Sequence, residues 1–271
     1  MYVRPESQRK VYPVKECAAT ILCLATVLAC AGEARADRRI FAYTYPYMTL
    51  PGGSFELEHY LDLGLKGTTT AWEGPSATTL QRDWTHPTWQ HQVELEYGIT
   101  DRLDFGFYNV FQQDASGALQ FEGVKVRSRY RFADPGVHAV DAGVYLEYVY
   151  FGDMMEIEQR LILSKILGRV EVACNAMVEE EIELGPKEWE YVFTPSLGVG
   201  YHFSPGFAAG VEYVGRMLIA EESLAYYASY LGPGISVAAG PFYWTLAAEA
   251  QLGRHSNFAA VQIRSLFGIV L

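Results

Sequence analysis

The chain has 271 residues, half of them hydrophobic and 14% aromatic, with 19 tyrosines and a formal charge of −11. So acidic a chain is a poor candidate for nucleic acid, whose phosphates must be neutralised by an excess of Lys and Arg. Past the N-terminal region no apolar run approaches the roughly 18 residues of a spanning helix, so helical membrane spans are excluded and the class narrows to an all-β protein.

The N-terminus places Arg4, Arg9, Lys10 and Lys15 before the apolar run Ala18 to Ala31, followed by GEARAD with small residues at Ala34 and Ala36. This pattern predicts a secretory signal cleaved after Ala36, with residues 1–36 removed. Cys30, after Val27, Leu28 and Ala29, matches the lipid-modified cysteine of a lipoprotein signal less well, because Leu28 departs from that pattern. Cleavage leaves 16 basic and 29 acidic residues, a charge of −13, and a single cysteine, Cys174. The exported chain therefore has no intramolecular disulfide and no cysteine metal cluster. Residues 37–53, DRRIFAYTYPYMTLPGG, form an aromatic lead-in too long for a plain tail and are expected to act as a periplasmic partial plug.

From Ser54 onward the hydrophobic pattern has period two, the side-chain period of a strand. In chain order the expected strands are Ser54–Leu63, Trp89–Ile99, Leu103–Phe111, Glu122–Phe132, Val140–Phe151, Glu156–Ile166, Val170–Glu180, Trp189–Tyr201, Phe207–Val214, Ala225–Ala238, Phe242–Leu252 and Ala259–Leu271. The tenth is the least regular, because Pro233 removes a ladder donor. Segments of about 10 to 13 residues, at about 3.3 Å per residue and a tilt of about 40°, cross a roughly 25 Å apolar band. Soluble sandwich strands are nearer 5 or 6 residues.

Connections alternate in length. TDR, LGR at 167–169, HFSPG at 202–206 and GP at 240–241 are short; 64–88, EIELGPKE at 181–188, GRMLIAEESL at 215–224 and GRHSNF at 253–258 are long. FGDM and ADPGVHA break the alternation. An even strand number with short turns at one end and long loops at the other is the pattern of an outer-membrane barrel, with the short turns periplasmic. The expected fold is all-β: one transmembrane antiparallel up-and-down β-barrel of about twelve strands over residues 54–271.

The segment Val124 to Phe132, VKVRSRYRF, places Lys125, Arg127, Arg129 and Arg131 at alternate positions. In a barrel, Val124, Val126, Tyr130 and Phe132 then face lipid and the four cations face the lumen. Acidic candidates in the same inward phase are Glu56, Glu58 and Asp62, Glu94 and Glu96, and Asp104, with Glu147, Glu156, Glu158, Arg160, Glu171, Glu179, Glu190, Glu212, Glu249, Gln262 and Arg264 further along. The basic row is expected to meet an acidic row across the lumen, leaving one wall acidic and another basic. Structurally such charges fill and stiffen the barrel as a hydrogen-bonded ladder. Functionally they set a transverse field in a polar channel that favours small polar or zwitterionic solutes.

The segments FAYTYPYMTLPGGSFELEHYLDL, HQVELEYGITDRLDFGFYNVF and GVKVRSRYRFADPG resemble a group of Gram-negative outer-membrane β-barrels that includes the meta-pathway phenol-degradation type of outer-membrane protein and transporter. The resemblance covers most of the mature chain. It implies uptake of small, often aromatic or hydrophobic, compounds and has no catalytic signature to carry over. The C-terminus RSLFGIVL departs from the terminal aromatic that the barrel-assembly machinery recognises: Phe267 is followed by four residues, with Leu271 last.

No cofactor is expected, and the expected partners are outer-membrane lipid, the assembly machinery and a small-molecule solute. The leading function is therefore a channel or uptake protein; the alternatives are a closed barrel with a structural or surface-interaction role and an outer-membrane lipid hydrolase. For the hydrolase, GRHSN holds His255 and Ser256, but adjacent residues in a strand point to opposite faces and cannot act as base and nucleophile. His59, His86 and His91 lack tight His-x-His spacing and read as surface or interface histidines.

Overall fold

The computed structural model describes residues 39–65, 88–113, 117–152, 154–185, 189–220, 223–253 and 259–271. The expected signal segment 1–36, most of the long 64–88 connection with His86, and His255 and Ser256 lie outside them.

Twelve antiparallel strands close into a barrel, each bonded to its neighbours in sequence, with β1 paired to β12. They are β1 Phe55–Leu65, β2 Thr88–Thr100, β3 Leu103–Gln113, β4 Leu119–Arg131, β5 Asp141–Tyr150, β6 Met154–Leu167, β7 Val170–Glu183, β8 Trp189–Ser204, β9 Phe207–Ala220, β10 Ser223–Ala239, β11 Phe242–Gln251 and β12 Val261–Val270. Closure leaves no sheet edge to pair with another chain.

The strands follow the alternation in the sequence, and most run slightly past its predicted limits. The largest difference is at GRMLIAEESL. The pattern predicts a long loop there, but β9 continues to Ala220 and β10 begins at Ser223. Leu218 stays buried and Tyr227 pairs with Met217, so the ladder simply extends beyond the last strongly alternating residue. Pro233 is accommodated because it keeps its pairing with Val211 of β9 while the ladder to β11 skips Gly232 and Pro233, with Leu231 and Gly234 paired on either side of the gap.

One end of the barrel has tight connections, at 101–102, 168–169, 205–206 and 240–241; the other carries the rest, apart from the 132–140 link. In the β10–β11 hairpin Gly240 takes φ of 59° and Pro241 follows, the order of a type II′ turn whose twist matches the flanking strands.

Polarity is inverted relative to a water-soluble protein. Leu95, Phe105, Leu146, Val199, Val211 and Phe267 are exposed on the outer face, whereas Glu58, Glu94, Glu96, Asp104, Arg127, Glu212 and Glu249 are almost completely buried inside. An apolar surface of that extent needs an apolar partner, and a bilayer supplies one around the whole circumference.

Candidate functional site

The site is the barrel interior, and its centre is β4. Pairing carries each inward residue sideways from strand to strand: Glu56 opposes Glu96, Glu96 opposes Gly106, Gly106 opposes Arg127, Arg127 opposes Glu147, Glu147 opposes Glu158, and Glu158 opposes Glu179. This one rung of the wall holds five carboxylates and a single guanidinium.

Arg127 lies across Gly106 to reach β2. Its Nε donates to Glu94 Oε1 at 2.8 Å, its Nη2 pairs with Glu94 and Glu96, and its Nη1 donates to Asp104. A Cβ on Gly106 would overlap Glu94 Oε1 and lie 2.8 Å from Arg127 Nε, so this crossing needs glycine. Arg129 donates through Nη2 to Glu96 Oε1 at 3.0 Å and to Asp104 Oδ2 at 2.8 Å. Lys125 turns the other way, to Glu147 Oε1 at 3.1 Å, and Arg160 pairs with Glu158 at 2.7 Å. Arg131 donates from Nε to the Asp101 carbonyl at 2.7 Å, at the short-turn end.

The expected pairing across the lumen is therefore corrected: the ion pairs run along the wall between neighbouring strands, and the cations of β4 sit between acidic strands on both sides. The reason is reach. A carboxylate one or two strands away is within an arginine's length, and the space between opposite walls is filled by the chain itself.

That filling is residues 39–50, which run inside the barrel without regular secondary structure; Ile40, Phe41, Ala42, Thr44 and Leu50 are essentially inaccessible. Their backbone groups need partners in a low-dielectric interior, and inward side chains supply them. Glu212 accepts three consecutive N–H groups, from Ala42 at 2.7 Å and from Tyr43 and Thr44 at 2.9 Å each. Asn175 bonds Tyr45 twice, accepting from its N at 2.7 Å and donating to its O at 3.0 Å. Asp104 accepts from Leu50 N at 3.0 Å, and Thr245 donates to the Arg39 carbonyl. The Arg39 side chain reaches Tyr60 and lies 3.5 Å from Glu58, which also accepts from Tyr60 and Tyr243.

The segment's side chains are seated as well. Ile40 and Phe41 pack where β8 and β9 present Gly198, Gly200 and Gly210 inward; a Cβ at Gly198 would lie 2.7 Å from the Phe41 ring, and one at Gly200 would overlap Ile40. The Tyr45 ring is stacked by Arg39 at 3.8 Å and Arg160 at 4.2 Å, and Tyr43 by Arg264 at 4.4 Å. Arg264 in turn is held by Asp62, Nε to Oδ1 at 2.5 Å and Nη2 to Oδ2 at 2.9 Å.

Period-two reading did not single out Glu212 or Asn175 as backbone acceptors, nor the inward glycines as a seat. The available signal was GVGY with GFAAG: inward positions left empty in two adjoining strands call for something else to fill them.

On the long-loop side of the segment lies a cavity of about 420 Å³. Tyr43 and Tyr45 contribute to its lining, as do Tyr60, Tyr108, Tyr145 and the charged residues Lys125, Glu156, Glu158, Arg160 and Glu179. On the outer face, His59 Nε2 and His91 Nδ1 lie 3.3 Å apart, and Cys174 is exposed.

No protein-family model and no curated protein matches the sequence. In fold the chain is similar to the COG4313 outer membrane channel from Pseudomonas putida F1, at 11% identity and a TM-score of 0.58, over 83% of this chain and 98% of that one. It is also similar to the NanC porin, at 9% identity and a TM-score of 0.51, over 80% of this chain and 98% of that one. The likeness carries the fold: this is a closed twelve-stranded antiparallel barrel of the kind found in outer-membrane channels.

Proposed function

We propose that the protein sits in the outer membrane of a Gram-negative cell and acts as a channel or uptake protein for small molecules, its lumen narrowed by its own segment 39–50. The observation that carries this reading is a polar cavity of about 420 Å³ inside a barrel whose outer face is apolar. Short turns face the periplasm, so the segment enters from that side and the cavity opens toward the long loops. The solute enters the cavity among tyrosine rings and paired charges. Such a lining suits a small solute with an aromatic face and a polar or zwitterionic group, in keeping with the uptake of aromatic compounds that the sequence resemblance implies.

The inward charges have two parts in this reading. Arg127 and Arg129 with Glu94, Glu96 and Asp104 are a structural ladder, fully buried and mutually satisfied. Lys125, Glu147, Glu158 and Arg160 border the cavity and set the field a solute meets. The same ladder favours a second reading, a closed barrel with a structural or surface-interaction role.

Single-channel conductance in a planar bilayer separates them. Refolded protein from Asp37 onward is expected to pass a small steady current that rises when residues 39–50 are deleted and changes its ion selectivity when Lys125 is neutralised. Absence of current from both forms, in protein shown to be inserted, selects the closed barrel.

A further inference from the structure

Strands β5 to β8 concentrate acid on one side of the lumen. Glu147, Glu158 and Glu179 lie on one rung, and Glu156, Glu181 and Glu190 on the next. All six are buried. Among the described residues, Lys125 pairs with Glu147, Arg160 with Glu158, and Arg216 places its Nη2 3.7 Å from Glu179 Oε2.

The Glu156 side chain makes no hydrogen bond or ion pair among the described residues; Glu156 is 8% exposed and lines the cavity. Its rung partner Glu181 has a buried Oε2 without a hydrogen-bond donor among the described residues. One oxygen from each of Glu156, Glu158 and Glu179 lies within 4.8 Å of the other two. Buried carboxylates in that arrangement repel one another unless a proton or a cation stands between them.

We propose that Glu156, Glu158 and Glu179 form a binding site for a hard divalent cation of calcium's class, facing the cavity. Oxygen atoms at this spacing can all ligate one ion at about 2.3 to 2.6 Å, and calcium tolerates the irregular geometry that side chains from two neighbouring strands impose. Magnesium demands a tighter octahedron. The second trio of converging carboxylates, Glu58, Glu94 and Glu96, is not such a site, because Arg39, Arg127, Tyr60 and Tyr243 already occupy its oxygens. The difference between the two trios is Glu156. The site does not require the barrel to conduct, and it is tested in detergent, apart from any current.

The test is titration of the refolded chain from Asp37 onward with terbium(III), a calcium-sized probe whose emission is sensitised by nearby tyrosine; Tyr145 lines the same cavity. Saturable emission is expected, displaced by calcium chloride and not by sodium chloride at equal ionic strength. E156Q weakens terbium binding by about tenfold or more, and E179Q does the same if E156Q does not fold. E171Q leaves it unchanged, because that carboxylate is engaged by His202 at 2.9 Å, next to the short-turn end. Two results overturn the assignment: no saturable emission from protein whose heat-dependent gel mobility shows a folded barrel, or emission that both E156Q and E179Q leave intact.

Discussion

Arg127 reaches Glu94 across the bare backbone of Gly106, so an ion pair between β4 and β2 depends on a residue of β3 that contributes no side chain. A fully buried guanidinium is tolerable only when its donors are all engaged, and the missing Cβ allows that here. Gly106→Val is therefore expected to displace Arg127 and to destabilise the barrel by about 3 kcal/mol or more. Urea unfolding in lipid vesicles, followed by tryptophan fluorescence, measures this. Gly185→Ala, at an open loop position with no atom near the added Cβ, is the control and should unfold like the parent.

The two faces of β4 respond oppositely to charge. Arg129→Leu leaves Glu96 and Asp104 short of donors in the interior and is expected to lower stability by about 3 to 5 kcal/mol. Val126→Arg puts a cation on the outer face near mid-barrel, at about 2 to 4 kcal/mol against insertion. A Val126→Arg variant that folds and inserts as the parent does, together with an unaffected Arg129→Leu, would reverse the assignment of faces.

Glu212 holds three backbone N–H groups of the inner segment, so its loss should free that segment before it unfolds the barrel. Glu212→Ala leaves those donors without an acceptor, at about 1 to 3 kcal/mol, and is expected to raise conductance. Glu212→Gln keeps one accepting oxygen and should be milder. Equal behaviour of both variants with the parent would mean that the segment is retained by its other anchors, Asn175 and Asp104.

Filling the seat tests the same segment by packing. Gly198→Val places methyl groups where the Phe41 ring lies and should expel Ile40 and Phe41 from the wall. Protease cleavage within residues 39–50 is expected to appear in this variant and to be absent from the parent. Resistance in both would show that the hollow can enlarge.

The alternation of polar and apolar residues is a local property, and it was enough to define twelve strands, the short and long ends, and an outward apolar set with an inward ionic one. Each of these follows from period two and from turn residues such as Gly240 and Pro241, which need no knowledge of distant partners. Where alternation weakens, at GRMLIAEESL, strand pairing with a neighbour extended β9 and β10 past the local signal. Arg127 and Gly106 lie twenty-one positions apart and meet only through register. Glu212 and the Tyr43 amide, or Gly198 and Phe41, are separated by more than a hundred and fifty positions and meet only once the barrel has closed. Sequence by itself therefore determined which residues carry charge and which side of the sheet they take. Only the tertiary structure decided which charges satisfy one another along the wall, which are spent on holding residues 39–50, and that Glu156 is left facing an open cavity, because these depend on strand register and on what occupies the enclosed space.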